Sequence, residues 1–132
     1  MQQLKKRTEE RTKNFPNKQE KVTFMSSRSK VWVFVMAGQY NMEGRGFVEP
    51  QDTVPSSRIL TLNIKNELVY AKEPIYFSTP SYSGLDCGMS FANELLANIP
   101  KDIHILLLPT AVGDSSRLIT MQFLHAHLKV IF

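Results

Sequence analysis

The sequence predicts an α/β domain organised around a parallel sheet, and three observations predict it. Two apolar runs, 31–37 (VWVFVMA) and 103–108 (IHILLL), are too continuous for strands with one wet face and far too short to cross a membrane. Between them, Met89, Phe91, Ala92, Leu95, Leu96 and Ile99 recur at the spacing of a helix with one buried face. Strand, helix and strand in that order make a parallel crossover unit.

A chain of 132 residues with 42% apolar side chains suffices for one modest core. Its lone cysteine, Cys87, has no internal disulfide partner, so nothing in its cysteine usage calls for an oxidising compartment. Charge is distributed unevenly. Residues 1–30 carry nine Lys or Arg against three Glu, a balance of +6, whereas the remainder is at −2, so the sequence pI of about 9.3 describes the first thirty residues and not the body.

That first segment is expected to be a disordered basic tail. LKKRTEERTKN could wind into a short solvated helix, but it offers no apolar stripe to dock one. Its charge could attract a polyanion, yet it lacks the interleaved aromatic residues that stack on bases, so no specific nucleic-acid partner is expected. Arg28 and Lys30 precede the apolar run in the order a secretion signal uses. The run is short and gives way to Gly38-Gln39-Tyr40-Asn41-Met42 where a cleavage site of small residues would be needed, so a core strand explains it better and a cytoplasmic location is the simpler expectation.

The first strand, alternating Val31, Val33 and Val35 with Trp32, Phe34 and Met36, reads as covered on both faces and ends at Gly38. In open α/β sheets ligands gather outside the carboxyl ends of the strands, which makes Gly38, Gln39, Tyr40 and Asn41 the first candidate site residues. A Pro- and Asp-bearing loop (47–57) follows. Residues 58–63 (RILTLN) and 67–71 (ELVYA) then suggest a hairpin or two edge strands. Residues 78–88 form a Gly/Ser/Pro-rich loop, and a helix starts near Gly88 with free N-terminal amides and a positive dipole end suited to a developing anion. His104 falls at the far end of the second strand from the site and is expected to be structural.

The blocks quoted so far carry a family resemblance. Gly38-Gln39-Tyr40-Asn41-Met42-Glu43-Gly44-Arg45-Gly46 resembles G-Q-S-N-M-x-G-R-G, the nucleophile block of SGNH hydrolases of the sialate O-acetylesterase and acetylxylan esterase family. Residues 58–75, ending in Ala71-Lys72-Glu73-Pro74-Ile75, are similar to its R-I-L-x-L…A-x-E-P-L passage, and Gly88 matches the second glycine of G-P-G-x-[SA]-F. After the second strand, Gly113 and Ser115 match A-x-G-G-[ST], with Asp114 in place of a glycine.

The resemblance implies roughly the first half of an SGNH-type three-layer sandwich, at residues 31–132, and hydrolysis of carbohydrate O-acetyl esters with neither metal nor cofactor. It puts Tyr40 at the position of the nucleophilic serine and Gly38, Gln39, Asn41, Gly88 and Gly113 around substrate and oxyanion. Asp86 and Cys87 replace the family's Gly-Pro, bringing a negative charge beside a place meant for one. A phenol has a pKa near 10 and a bulky ring, so Tyr40 is expected to fill a dead pocket. Ser115, within Gly113-Asp114-Ser115, is an alternative nucleophile, although only 17 residues follow it. The family's Gln-Gly-Glu and Asp-x-x-His blocks are missing, and no acid lies within three residues of His125 or His127. The expectation is a catalytically impaired esterase. Two other functions stay open: a non-catalytic module that binds acetylated glycans around Gln39, Asn41 and Arg45, and an interaction protein acting through its basic tail. A short parallel sheet would also leave an exposed edge that favours self-association.

Overall fold

The computed structural model describes residues 1–23, 30–75 and 82–111. Helix α1 (Gln2–Thr12) is followed by strand β1 (Lys30–Met36), a single helical turn α2 (Tyr40–Glu43) and a 3-10 turn at Pro50–Thr53. Strands β2 (Ile59–Leu62) and β3 (Leu68–Tyr70), helix α3 (Gly88–Leu96) and strand β4 (Ile103–Pro109) complete the order. The four strands form one sheet in the order β1-β4-β2-β3. β4 is parallel to both β1 and β2, and only the β2–β3 hairpin is antiparallel. The expected α/β fold around a mostly parallel sheet is therefore present.

The hairpin turns where the sequence allows it. Asn63 Oδ1 accepts the N–H groups of Lys65 and Glu67, both at 2.9 Å, and Asn66 takes the left-handed conformation at φ 59° that asparagine tolerates well. β4 and β2 are the apolar centre. Ile59, Leu60, Ile105, Leu106, Leu107 and Leu108 are buried, and their alternation divides the core between two faces. On one face Met36, Ile59, Ile105 and Leu107 meet Met89 and Ala92 of α3; on the other Leu60, Leu62, Leu106 and Leu108 pack together with Val22 and Tyr70 beside them. Thr61, buried in mid-sheet, satisfies its hydroxyl by donating to the Leu107 carbonyl at 2.9 Å.

β1 departs from its expected environment. Its composition suggested cover on both faces, yet Val31, Trp32, Val33 and Val35 are each 39–43% exposed. The cause is position: β4, not β1, is the strand with neighbours on both sides, and β1 is the sheet's terminal strand among the described residues. Apolarity reported what the strand could tolerate, not where the crossover put it.

The basic N-terminal segment also differs. Gln2–Thr12 is helical, with no buried residue, as its lack of an apolar stripe requires. Polar bonds tie this segment down: Arg11 Nη2 donates to the Arg45 carbonyl at 2.8 Å, and Asn14 Nδ2 to that of Val48 at the same distance. Further on, Val22 N–H donates to Leu68 O and Tyr70 N–H to Glu20 O, so residues 20–22 lie along the outer edge of β3. The ion pairs Lys21–Glu67 (2.7 Å) and Lys72–Glu20 (3.0 Å) flank this contact.

Candidate active site

The candidate site is built at the carboxyl ends of β1 and β4. Thr110 fastens the two ends by donating both its N–H and its hydroxyl to the Met36 carbonyl, at 3.1 and 3.2 Å. Beyond Met36 the chain passes Gly38, at φ +153°, and enters α2, where the Gln39 carbonyl accepts the N–H groups of Met42 and Glu43. The turn and helix start expected after the first strand are thus in place. Gly44 closes α2 with its N–H on the Tyr40 carbonyl and a φ of +94°. A side chain there would strike the Gly84 carbonyl and Asp86, so glycine is needed twice over, for conformation and for closeness.

That closeness joins the first block to the loop before α3. Gly46 and Leu85 exchange both backbone hydrogen bonds, at 2.9 and 3.1 Å. Cys87 Sγ comes within 3.7 Å of Met42 Sδ. Gly88 is buried under the end of β1, where a Cβ would press on Met36 Cε and Ile75 Cδ1. Gly38, Gln39, Tyr40, Asn41 and Gly88, distant in sequence, therefore share one end of the sheet. Gly113, Asp114, Ser115, His125 and His127 lie outside the described residues. His104, the one histidine among the described residues, is in register with Val31 at the opposite end of the sheet and is remote from Tyr40.

Tyr40 is not packed into a closed pocket as its size suggested. It is 42% exposed, with the Arg45 guanidinium 5.0 Å from its ring centroid and 5.9 Å from that of Tyr82, itself exposed. Arg45 is held by an ion pair from Nη2 to buried Glu43 (2.9 Å) and a bond from Nη1 to the Tyr82 carbonyl (2.6 Å). Arg11 reinforces the loop, its Nη2 reaching the carbonyls of Tyr82 and Ser83 as well as Arg45, with its guanidinium 5.4 Å from the Phe47 ring.

Behind this surface is a feature that local sequence reading missed. Glu73 and Asp86 are both buried, and both oxygens of Glu73 and Oδ2 of Asp86 have no hydrogen-bond donor. Burial raises both pKa values, Glu73 to about 9 with the Asp86 charge adding to the effect, and Asp86 to about 6. Asp86 is raised less because its Oδ1 accepts the Gly88 N–H at 2.5 Å, which favours the ionised form. Near neutrality the pair holds one proton. The amide expected to be free for an anion is consequently occupied by a carboxylate of the chain itself. Thirteen positions separate the two acids, so only the joining of the 71–75 passage to the loop before α3 reveals them. Among the described residues no group of three or more His, Cys, Asp or Glu could hold a metal ion, and no helix is long and apolar enough to cross a membrane.

The model of the carbohydrate esterase family described as sialic acid-specific acetylesterase matches residues 30–122, the stretch that contains both blocks of the site. The chain belongs to this carbohydrate esterase family. A curated relative, a probable carbohydrate esterase of Arabidopsis thaliana, is 30% identical over 101 residues, covering 64% of this chain and 39% of its own length. An X-ray structure of an Arabidopsis thaliana protein superposes with a TM-score of 0.63 at 24% identity, over 78% of this chain and 51% of that one, which supports the fold. The chain thus spans about two fifths of the length of that curated relative and about half of the solved chain. Residues 1–29 precede the matched region, so Arg11 and the strand-like pairing of 20–22 lie ahead of the residues that the family model matches.

Proposed function

We propose that this chain is a carbohydrate esterase of the O-acetyl ester type whose hydrolytic step is impaired, with acetylated carbohydrate as the ligand class. The observation that carries the reading is the bond from Gly88 N–H to Asp86 Oδ1. Acyl-ester hydrolysis requires donors aimed at the oxygen that becomes an oxyanion, and a fixed carboxylate on such a donor both occupies it and repels the charge it should receive. Tyr40 at the serine position compounds the defect, since a phenol needs a nearby base to act at neutral pH and no histidine among the described residues lies near it. The test is hydrolysis of a small aryl acetate, with mass mapping of any residue labelled by a serine-reactive phosphonate. Neither turnover nor label is expected; turnover with label on Ser115 or Tyr40 overturns the reading.

A second reading, a non-catalytic module for acetylated glycans, draws on the exposed rings of Tyr40 and Tyr82 on either side of Arg45. Aromatic faces with a fixed donor between them suit a sugar. This reading predicts calorimetric binding of acetylated oligosaccharides that Tyr82→Ala weakens, without release of acetate.

A further inference from the structure

Helix α3 starts without a side-chain cap. Cys87, at its cap position, makes no capping bond, its sulfur lies against Met42 instead, and no acid stands in the first turn. Closing the first amide falls to Asp86, whose Oδ1 accepts the Gly88 N–H. Against Asp86 is set Glu73, 1% exposed, with no donor on either oxygen. Two carboxyls buried against each other cannot both carry charge near neutrality, so one keeps a proton. Placement decides which. The main-chain donor sits on Asp86, so Asp86 takes the charge and Glu73 the proton.

The next proton taken up as pH falls therefore goes to Asp86, which at 8% exposed also stands nearer to water than Glu73. That proton cancels the charge that holds the amide. A charge-assisted hydrogen bond becomes a neutral one of about half the strength. The charged neighbours on the surrounding elements are already engaged and do not take over. Glu43, beside the Gly44 that closes on Asp86, is paired with Arg45; Lys72, beside Glu73, is paired with Glu20; and Arg11 holds three carbonyls of the adjoining loops. We propose that Glu73 and Asp86 form a proton switch on the start of α3: with one proton the pair clamps the Gly88 amide, and with two it lets the amide go. The switch bears on catalysis through the reading of that amide as an oxyanion donor, and to that extent rests on it. The carboxylate that blocks the donor near neutrality gives up its hold in acid.

Nuclear magnetic resonance of the full chain tests the switch at Gly88 itself. The Gly88 nitrogen-15 shift is expected to move in one step centred at a pH of about 6. Its hydrogen-exchange protection, corrected for the intrinsic pH dependence, is expected to fall at least about fivefold on the acid side of that step. Protection of Ile105 in β4 should not fall with it, which separates release of one amide from loosening of the fold. Glu73→Gln is expected to keep the step, since Asp86 still titrates, and Asp86→Asn to abolish it. A wild-type shift that stays flat overturns the proposal, as does a step lost in Glu73→Gln or kept in Asp86→Asn, or a step across which Gly88 protection is unchanged. If Asp86→Asn does not fold, the wild-type and Glu73→Gln readings still decide. None of these readings involves turnover, so their failure leaves the impaired-esterase reading standing, and hydrolysis by the chain overturns that reading without moving them.

Discussion

Glu73 and Asp86 set their carboxyl groups against each other where neither finds a cation, and the amide of Gly88 tips the charge toward Asp86. The folded state therefore holds protons that the unfolded chain has released. Both carboxyls are raised above their unfolded values, so their contribution is fully present below the ordinary carboxylate range and is lost as pH rises through about 6 and then about 9. The melting temperature is expected to fall between pH 4 and pH 9 in thermal scans monitored by circular dichroism. Glu73→Gln, which keeps the shape and cannot ionise, is expected to flatten that slope and to raise the melting temperature at pH 8.

Freeing the Gly88 amide should matter only when a hydroxyl stands near it. Tyr40→Ser alone is expected to take no phosphonate label, because Asp86 still holds the donor. Tyr40→Ser combined with Asp86→Gly is expected to label slowly, yet to hydrolyse aryl acetate no faster than buffer, since no base has been supplied. Intact-mass spectrometry and a spectrophotometric assay read the two halves of this outcome.

Gly44→Ala is expected to destabilise the fold by more than about 1 kcal/mol in urea titration, because a positive φ and the Gly84 carbonyl both oppose a methyl group there. The nearby Asn41→Ala, exposed on α2, is the control and should change stability by less than about 0.5 kcal/mol.

Arg11→Ala should release the loop at 82–85 without unfolding the sheet. One guanidinium nitrogen meets three carbonyls there, partly open to water, and its loss is expected to cost about 1–2 kcal/mol. Hydrogen exchange should speed up at Leu85, and at Gly46 across from it, while β4 stays protected.

Much of the fold was legible because local pattern and environment agreed. The eight leucines and isoleucines of β2 and β4 are apolar and buried, Asn66 turns where a turn was read, and α3 begins at Gly88 where its spacing set the start. β1 was legible as a strand but not as the terminal one among the described residues, because side-chain apolarity carries no record of which strand the crossover places centrally. Residues 1–23 were misjudged for a related reason: their attachment rests on Arg11, Asn14 and main-chain groups of residues 20–22, and none of these leaves an apolar stripe. The gathering of Gly38, Gln39, Tyr40 and Gly88 followed from the family blocks. The acid pair did not, since a carboxylate reads as a surface residue until its partner in space is known.

The pairing of residues 20–22 with β3 has a consequence for growth. A sheet that elongates without limit needs two open borders, one to receive a neighbour and one to offer the next site. Here, among the described residues, one border is sealed by the chain's own leading segment and stapled by Lys21–Glu67 and Lys72–Glu20. Strand addition at that border is closed off by the chain itself. The residues ahead of the family match thus guard one border of the sheet, filling with main-chain bonds of their own the row that a foreign strand would need.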